Sequence, residues 1–258
     1  MRHLLRLDAA KRTRDWYRAN LDAFDQASEG SLHLNLGQGT GPIPSAQMDL
    51  ADRMAEGLPS GHWLDVGCGL TGPALRWLER DPQLRVTGLE LVPTILERAR
   101  RQANRNDRLE LMGGDGDKMP FSQQFDAVVA LDSVWHMRDR RQFAQQAWRA
   151  LKPGGWLRRT DIAAKPEQLR LYDAAVIAAA RKGLGAHALS NPQRWTATLR
   201  ACGFTDIVVR DITDDRMDIL ESWSHALGGA LGRGLGYLHV RRTNAPLAFL
   251  LVDARKES

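Results

Sequence analysis

The stretch Leu64-Asp-Val-Gly-Cys-Gly-Leu-Thr-Gly72 decides how this chain folds. A short apolar run, His62 to Val66, leads into a glycine loop, and a helix is expected from about Pro73 to Arg80. Gly67, Gly69 and Gly72 allow a tight turn and a close approach of backbone to ligand, with a helix N-terminus behind it. That arrangement suits any nucleotide-type ligand. Asp65, two residues before the first glycine, narrows the choice. A carboxylate there faces the phosphates of a dinucleotide unfavourably and welcomes a cation.

Outward from this unit the strand–helix rhythm repeats. Leu84 to Glu90 reads as a second strand, and Pro93 opens a helix to about Asn104. Arg108 to Met112 reads as a short third strand before Gly113-Gly-Asp-Gly116. Phe125 to Leu131 is a continuous apolar strand of the kind buried on both faces of a parallel sheet. Asp139 to Leu151 reads as an amphipathic helix closed by Lys152-Pro-Gly-Gly155, and Trp156 to Ile162 as strand five. Helices are expected over Pro166 to about Lys182, Pro192 to Cys202 and roughly Asp214 to Leu227, with strands over Phe204 to Asp211 and Ala248 to Ala254. The pattern predicts a doubly wound α/β sheet with right-handed crossovers. Residues 1–60 are expected to form an N-terminal helical lid, and residues 61–258 the core, with a substrate-cap insertion over about 163–202.

Bulk properties exclude several classes. The 258 residues, 43% hydrophobic and 26% charged, suit one large soluble domain. No apolar run approaches the roughly 20 residues that span a bilayer, so no membrane partner is expected. Charges in the first residues argue against a secretory signal. Cys68 and Cys202 belong to no metal-spacing pair, so no metal is expected and a reducing cytoplasm is the simplest setting. The net charge of +5 is carried by scattered arginines that read as solvated helix faces. Without an arginine–glycine repeat or basic tail, no stable nucleic-acid partner is expected. A homo-oligomer stays open.

Acids mark the predicted strand ends: Asp65, Glu90, Asp115, Asp132 and Asp161. In an open α/β sheet those ends share one crevice. Like charges gathered there need compensating partners. S-adenosyl-L-methionine, with a sulfonium, an ammonium, a ribose diol and an exocyclic amine, supplies them. Glu90 can accept both ribose hydroxyls, Asp115 the adenine amine with Gly116 allowing close approach, and Asp65 with the Gly67–Gly69 loop can hold the methionine end. Cys68, Leu91, Asp117 and Leu131 complete the expected donor site.

These residues resemble successive motifs of the class I S-adenosylmethionine-dependent methyltransferases. The resemblance is carried by Leu64-Asp-Val-Gly-Cys-Gly69, Gly88-Leu-Glu-Leu-Val92, Gly114-Asp-Gly-Asp117, Phe125-Asp-Ala-Val-Val129 and Leu151-Lys-Pro-Gly-Gly155. It covers about residues 60–162. Leu32-His-Leu-Asn-Leu-Gly37 and Ala201-Cys-Gly-Phe204 are similar to segments flanking the core in small-molecule members that act on sterols, natural-product sugars, quinone precursors and phosphobases. The resemblance implies a Rossmann-like seven-stranded sheet whose last strand is antiparallel. It also implies one methyl transferred per turnover, with S-adenosyl-L-homocysteine released. Two departures stand out. Arg158-Arg159 occupies a strand that is usually apolar, so one arginine must snorkel or pair, with Asp161 nearby. An Asn-Pro-Pro-Tyr-type motif is absent after strand four, which argues against methylation of nucleic-acid bases.

The acceptor site is expected at Asp132-Ser-Val-Trp-His136. His136, with an ordinary pKa near ~6.5, is the general-base candidate. Asp132, four residues earlier, is placed to orient its ring, a spacing similar to that of phosphobase methyltransferases. Asp161 is a further candidate base. His33 in the lid is another, and Trp16, Tyr17, Phe24 and Trp135 are candidates for an aromatic wall around substrate. The expected function is methyl transfer to a small-molecule oxygen or nitrogen in natural-product biosynthesis. The alternatives are a donor-binding scaffold for a non-methylation step such as cyclisation, and an RNA-modifying methyltransferase.

Overall fold

The computed structural model describes residues 2–103, 106–165, 178, 186, 189, 192–240 and 246–257. In chain order the elements are α1 (Arg2–Ala27), α2 (Ile43–Ala55), β1 (His62–Val66), α3 (Gly72–Arg80), β2 (Arg85–Glu90), α4 (Pro93–Gln102) and β3 (Leu109–Gly113). They continue with β4 (Phe125–Ala130), a 3-10 turn (Val134–His136), α5 (Arg140–Ala150), β5 (Leu151–Ala164), α6 (Pro192–Ala201), β6 (Phe204–Asp211), α7 (Thr213–Leu227), α8 (Gly229–Val240) and β7 (Leu247–Lys256). The expected helix over Pro166 to Lys182 lies outside the described residues.

The seven strands are ordered β3-β2-β1-β4-β5-β7-β6. The first five are parallel, and β7 inserts antiparallel between β5 and β6. The order reverses at β1, so the ends of β1, β2 and β4 open onto one crevice, where ligands bind in open α/β sheets. Apolar side chains on both faces of the sheet form two large clusters, one around Trp63, Trp77 and Trp223 and one around Phe125, Phe143 and Trp195. Among the described residues no helix is long and apolar enough to cross a membrane.

One strand differs from expectation in its bounds, and one helix stands where no element was expected. β5 begins at Leu151 rather than Trp156, because Leu151 already pairs with Phe125. A register irregularity between Phe125 and Ala127 absorbs the Pro-Gly-Gly segment. The glycine-rich segment Gly229–Val240 forms a helix that propensity disfavours. Close packing requires its glycines: a Cβ on Gly232 would stand 2.4 Å from the Ser224 carbonyl oxygen, and one on Gly236 would stand 2.6 Å from Ser224 Oγ.

The paired arginines of β5 point to opposite faces, as strand alternation requires. Arg158 meets Asp253 of β7 at 2.5 Å and also donates to the Met54 carbonyl. Arg159, fully buried, meets Asp161 at 3.1 Å and lies 3.5 Å over the Trp195 ring. Asp161 is thus the partner of one arginine, as expected, and Asp253 is the partner of the other.

Candidate active site

The glycine loop after β1 is fastened to its neighbours before any ligand is considered. Gly67 N–H donates to Leu89 O at 2.7 Å, and Ser133 Oγ donates to Val66 O at 2.6 Å. Gly67 has φ +76 and Gly69 φ +56, and a Cβ on Gly67 would stand 2.6 Å from that of Ser133. Glycine is therefore required there twice over, by backbone conformation and by space. Glu90, the last residue of β2, accepts from Gly69 N–H at 3.0 Å through one oxygen and from Val92 N–H at 2.8 Å through the other. Each oxygen keeps a lone pair for a further donor.

These groups line a cavity of about 420 Å³. All ten expected donor-site residues face it: Asp65, Gly67, Cys68, Gly69, Glu90, Leu91, Asp115, Gly116, Asp117 and Leu131. Asp65 is buried, and its carboxylate has no hydrogen bond or ion pair among the described residues. Burial, and then the neighbouring Glu90, push it up to about 7. Burial also raises Glu90, against the pull of backbone N–H groups of Val92, Gly69 and Leu91. Burial and Asp115 push Asp117 up to about 6. A Cβ on Gly116 would stand 2.8 Å from Met137 Cε and 2.9 Å from Val66 Cγ1, so the backbone itself forms that wall. A buried, unpartnered carboxylate beside a second one fits a cationic ligand, and the spare acceptor capacity of Glu90 fits a diol. The cradle therefore suits S-adenosylmethionine, which the charge pattern of the sequence had pointed to.

The same cavity is lined by Tyr17, Asp132 and His136. Tyr17 Oη lies 3.0 Å from His136 Nε2, although the two residues are 119 apart in sequence. Burial, with Glu90 and Asp132 close by, pushes the Tyr17 phenol well above its ordinary range, so it stays protonated. Asp132 accepts from Arg216 Nη1 at 2.9 Å and Nη2 at 2.5 Å, from Thr160 Oγ1 at 2.7 Å and from Leu36 N–H at 2.8 Å. Among the described residues no group of three or more histidine, cysteine or acidic side chains is placed to hold a metal.

A family model described as a methyltransferase domain matches residues 64–158. The chain is 32% identical over 237 residues to the erythromycin 3''-O-methyltransferase of Saccharopolyspora erythraea, covering 84% of this chain and 75% of that one. It is 31% identical over 205 residues to the 27-O-demethylrifamycin SV methyltransferase of Amycolatopsis mediterranei, covering 76% and 75%. This chain is a class I S-adenosylmethionine-dependent methyltransferase. In fold it is similar to the geranyl diphosphate C-methyltransferase of Streptomyces coelicolor, with TM-score 0.80, 13% identity and 96% and 98% coverage. It is likewise similar to the [4+2]-cyclase SpnF, with TM-score 0.79, 20% identity and 96% and 97% coverage.

Not every predicted side chain of the methyltransferase meets the cavity. Asp161 does not line it, and this corrects its reading as a base. The strand does not end there: β5 runs on to Ala164, paired with Leu247. The Asp161 carboxylate is fully buried and accepts from Arg140 at 2.8 and 2.9 Å and from Trp195 Nε1 at 2.7 Å. Burial pushes it up, but Arg140, Arg159 and the Trp195 N–H together hold it below its ordinary value. Asp132 is likewise committed to Arg216 rather than to the His136 ring, whose Nε2 lies 3.0 Å from Tyr17 Oη. His33 is buried outside the cavity with Nδ1 3.3 Å from Asn35 Nδ2, and burial lowers it to about 4. Trp16 and Trp135 stand around His136 at 5.9 and 5.8 Å between ring centroids without lining the cavity, and Phe24 packs on Trp223 at 5.1 Å. Arg14, Leu34, Asn35, Met137 and Gln142 line the cavity and went unpredicted. The segment Leu32–Gly37 did carry a signal for two of them, through its similarity to the region ahead of the core.

Proposed function

We propose that this methyltransferase transfers its methyl group to a hydroxyl oxygen of a polyketide-class natural product, and that Tyr17 and His136 handle the hydroxyl proton. The observation that carries the reading is the Tyr17–His136 hydrogen bond at the cavity wall, 3.0 Å long and framed by Trp16 and Trp135. The two relatives above, named for erythromycin and demethylrifamycin, support an acceptor of that class. Asp132 supports oxygen over a charged amine. Arg216 neutralises it, so it offers no free carboxylate to an ammonium group.

The donor supplies an electrophilic methyl group on sulfur. Glu90 would hold its ribose and Asp65 its cationic end. The acceptor hydroxyl donates to Tyr17 Oη as Tyr17 passes its own proton to His136 Nε2. Burial keeps the Tyr17 phenol protonated, so it relays a proton rather than resting as the base. Water exclusion and in-line placement supply the remaining acceleration. Residues 1–60 act as the lid that supplies Tyr17 and Arg14, and the enzyme works in the cytoplasm, which suits the free thiols of Cys68 and Cys202.

The test offers the purified enzyme isotopically labelled donor with three acceptors: a hydroxylated macrolide glycoside, phosphoethanolamine and geranyl diphosphate. Labelled ether methyl in the macrolide product is expected. Labelling confined to the amine or to carbon overturns the oxygen assignment.

A further inference from the structure

Residues 32–39 form a strap between α1 and α2 that closes one side of the donor cavity. Gly72 N–H donates to Leu32 O at 3.0 Å, which seats the strap on the start of α3. Leu34 and Asn35 line the cavity, and Leu34 Cδ1 lies 3.1 Å from where a Cβ of Gly69 would stand. Leu36 is gripped at both of its backbone polar groups. Its N–H donates to Asp132 Oδ2 at 2.8 Å, and its carbonyl accepts from Trp223 Nε1 at 2.8 Å. Gly39 N–H donates to the Asp215 carbonyl at 2.6 Å. Three of these joints trace to one helix, α7: Asp215 directly, Trp223 directly, and Arg216 through Asp132.

Arg216 is fully buried, with its guanidinium carbon 4.5 Å over the Phe249 ring. Its fork takes both oxygens of Asp132, whose backbone is left-handed at φ +52. A carboxylate in that strained position has little freedom, and two parallel N–H bonds fix its plane. The plane fixed by Arg216 is the one that presents Oδ2 to Leu36. A buried ion pair is weak support for stability, because well-packed apolar residues often replace one at no loss. What such a pair does supply is direction, and here the direction reaches the donor wall.

We propose that Arg216, outside every donor-binding motif, is a positioning residue for the donor: it orients Asp132, which holds the Leu36 N–H and keeps Leu34 and Asn35 against the cavity.

Hydrogen exchange of the ligand-free protein, together with calorimetric titration by S-adenosylhomocysteine, tests this. Arg216→Lys keeps a charge beside Asp132 but loses the fork. Exchange in the peptide spanning residues 32–40 is expected to rise about tenfold, while β6 and β7 keep wild-type protection. The dissociation constant for S-adenosylhomocysteine is expected to rise about tenfold. Asp132→Asn is expected to act in the same direction. A loosened strap with wild-type affinity overturns the proposal, as does lost affinity with the strap still protected. Failure of both variants to fold assigns Arg216 to the core alone and overturns it too.

Discussion

Glu90 and Asp65 divide the donor site by chemistry, and each carries its own test. Glu90→Ala removes two backbone hydrogen bonds along with the proposed diol acceptor. Donor affinity is expected to fall about tenfold to a hundredfold, read by calorimetry. Asp65 titrates differently. Its folded value of about 7 stands above the unfolded 3.8, so the ligand-free native state holds a proton that the unfolded chain has lost. The contribution of this group to stability therefore falls as pH rises between those values. A bound cation favours the carboxylate, so donor uptake near pH ~6.5 should release a proton and near pH ~8.5 should not. Calorimetry in buffers of different ionisation heat reads that proton, and Asp65→Asn should abolish it. For the acceptor end, Tyr17→Phe and His136→Ala are each expected to lower turnover about 10²–10⁴-fold with donor affinity little changed. Unchanged turnover in both variants removes the relay. That the expected donor-site residues line one cavity was legible in the sequence because each lies at or just beyond the end of a strand, so local order encodes their convergence. The Tyr17–His136 and Asp132–Arg216 pairs were not, since separations of 119 and 84 residues are set by packing alone.

Among the elements, β5 shows what strand periodicity determines. Arg158 and Arg159 looked like an anomaly, and Asp161 like a strand end. The strand continues three residues further and sends Asp161 toward α5 and α6, where Arg140 and Trp195 hold it. Register, which a single strand's sequence does not reveal, made the difference. On the opposite face Asp253 holds both Arg158 and Arg210 while itself buried. Asp253→Ala strands a buried guanidinium and is expected to cost about 3–5 kcal/mol in urea unfolding. Pairing Asp253→Leu with Arg158→Met should recover most of that loss. A single variant as stable as wild type would show that the arginine finds other acceptors. Helix α8 is the converse lesson: its glycines argue against helix locally, and Ser224 of the neighbouring helix makes them necessary.

For the whole molecule, the α/β class, the strand sequence and the antiparallel last strand all followed from alternation and from the family resemblance. Of the wall that α1 contributes to the cavity, Tyr17 was a candidate from the sequence and Ala10, Thr13 and Arg14 were not, because a helix carries no address for the surface it covers. Tyr17 and Leu21 pack on Leu70, Val92 and Ile95, and Arg98 pairs with Asp25. If residues 1–60 are a lid, S-adenosylhomocysteine should slow hydrogen exchange over residues 10–20. Exchange indifferent to it would make α1 a fixed wall. The sheet order bears on synthesis as well. β6 pairs with β7 alone, and β7 emerges last among the described elements. Until residues 247–256 leave the ribosome, β5 presents an unpaired edge on which Arg158 lacks its Asp253 carboxylate, and a bare edge of that kind is open to pairing with other chains.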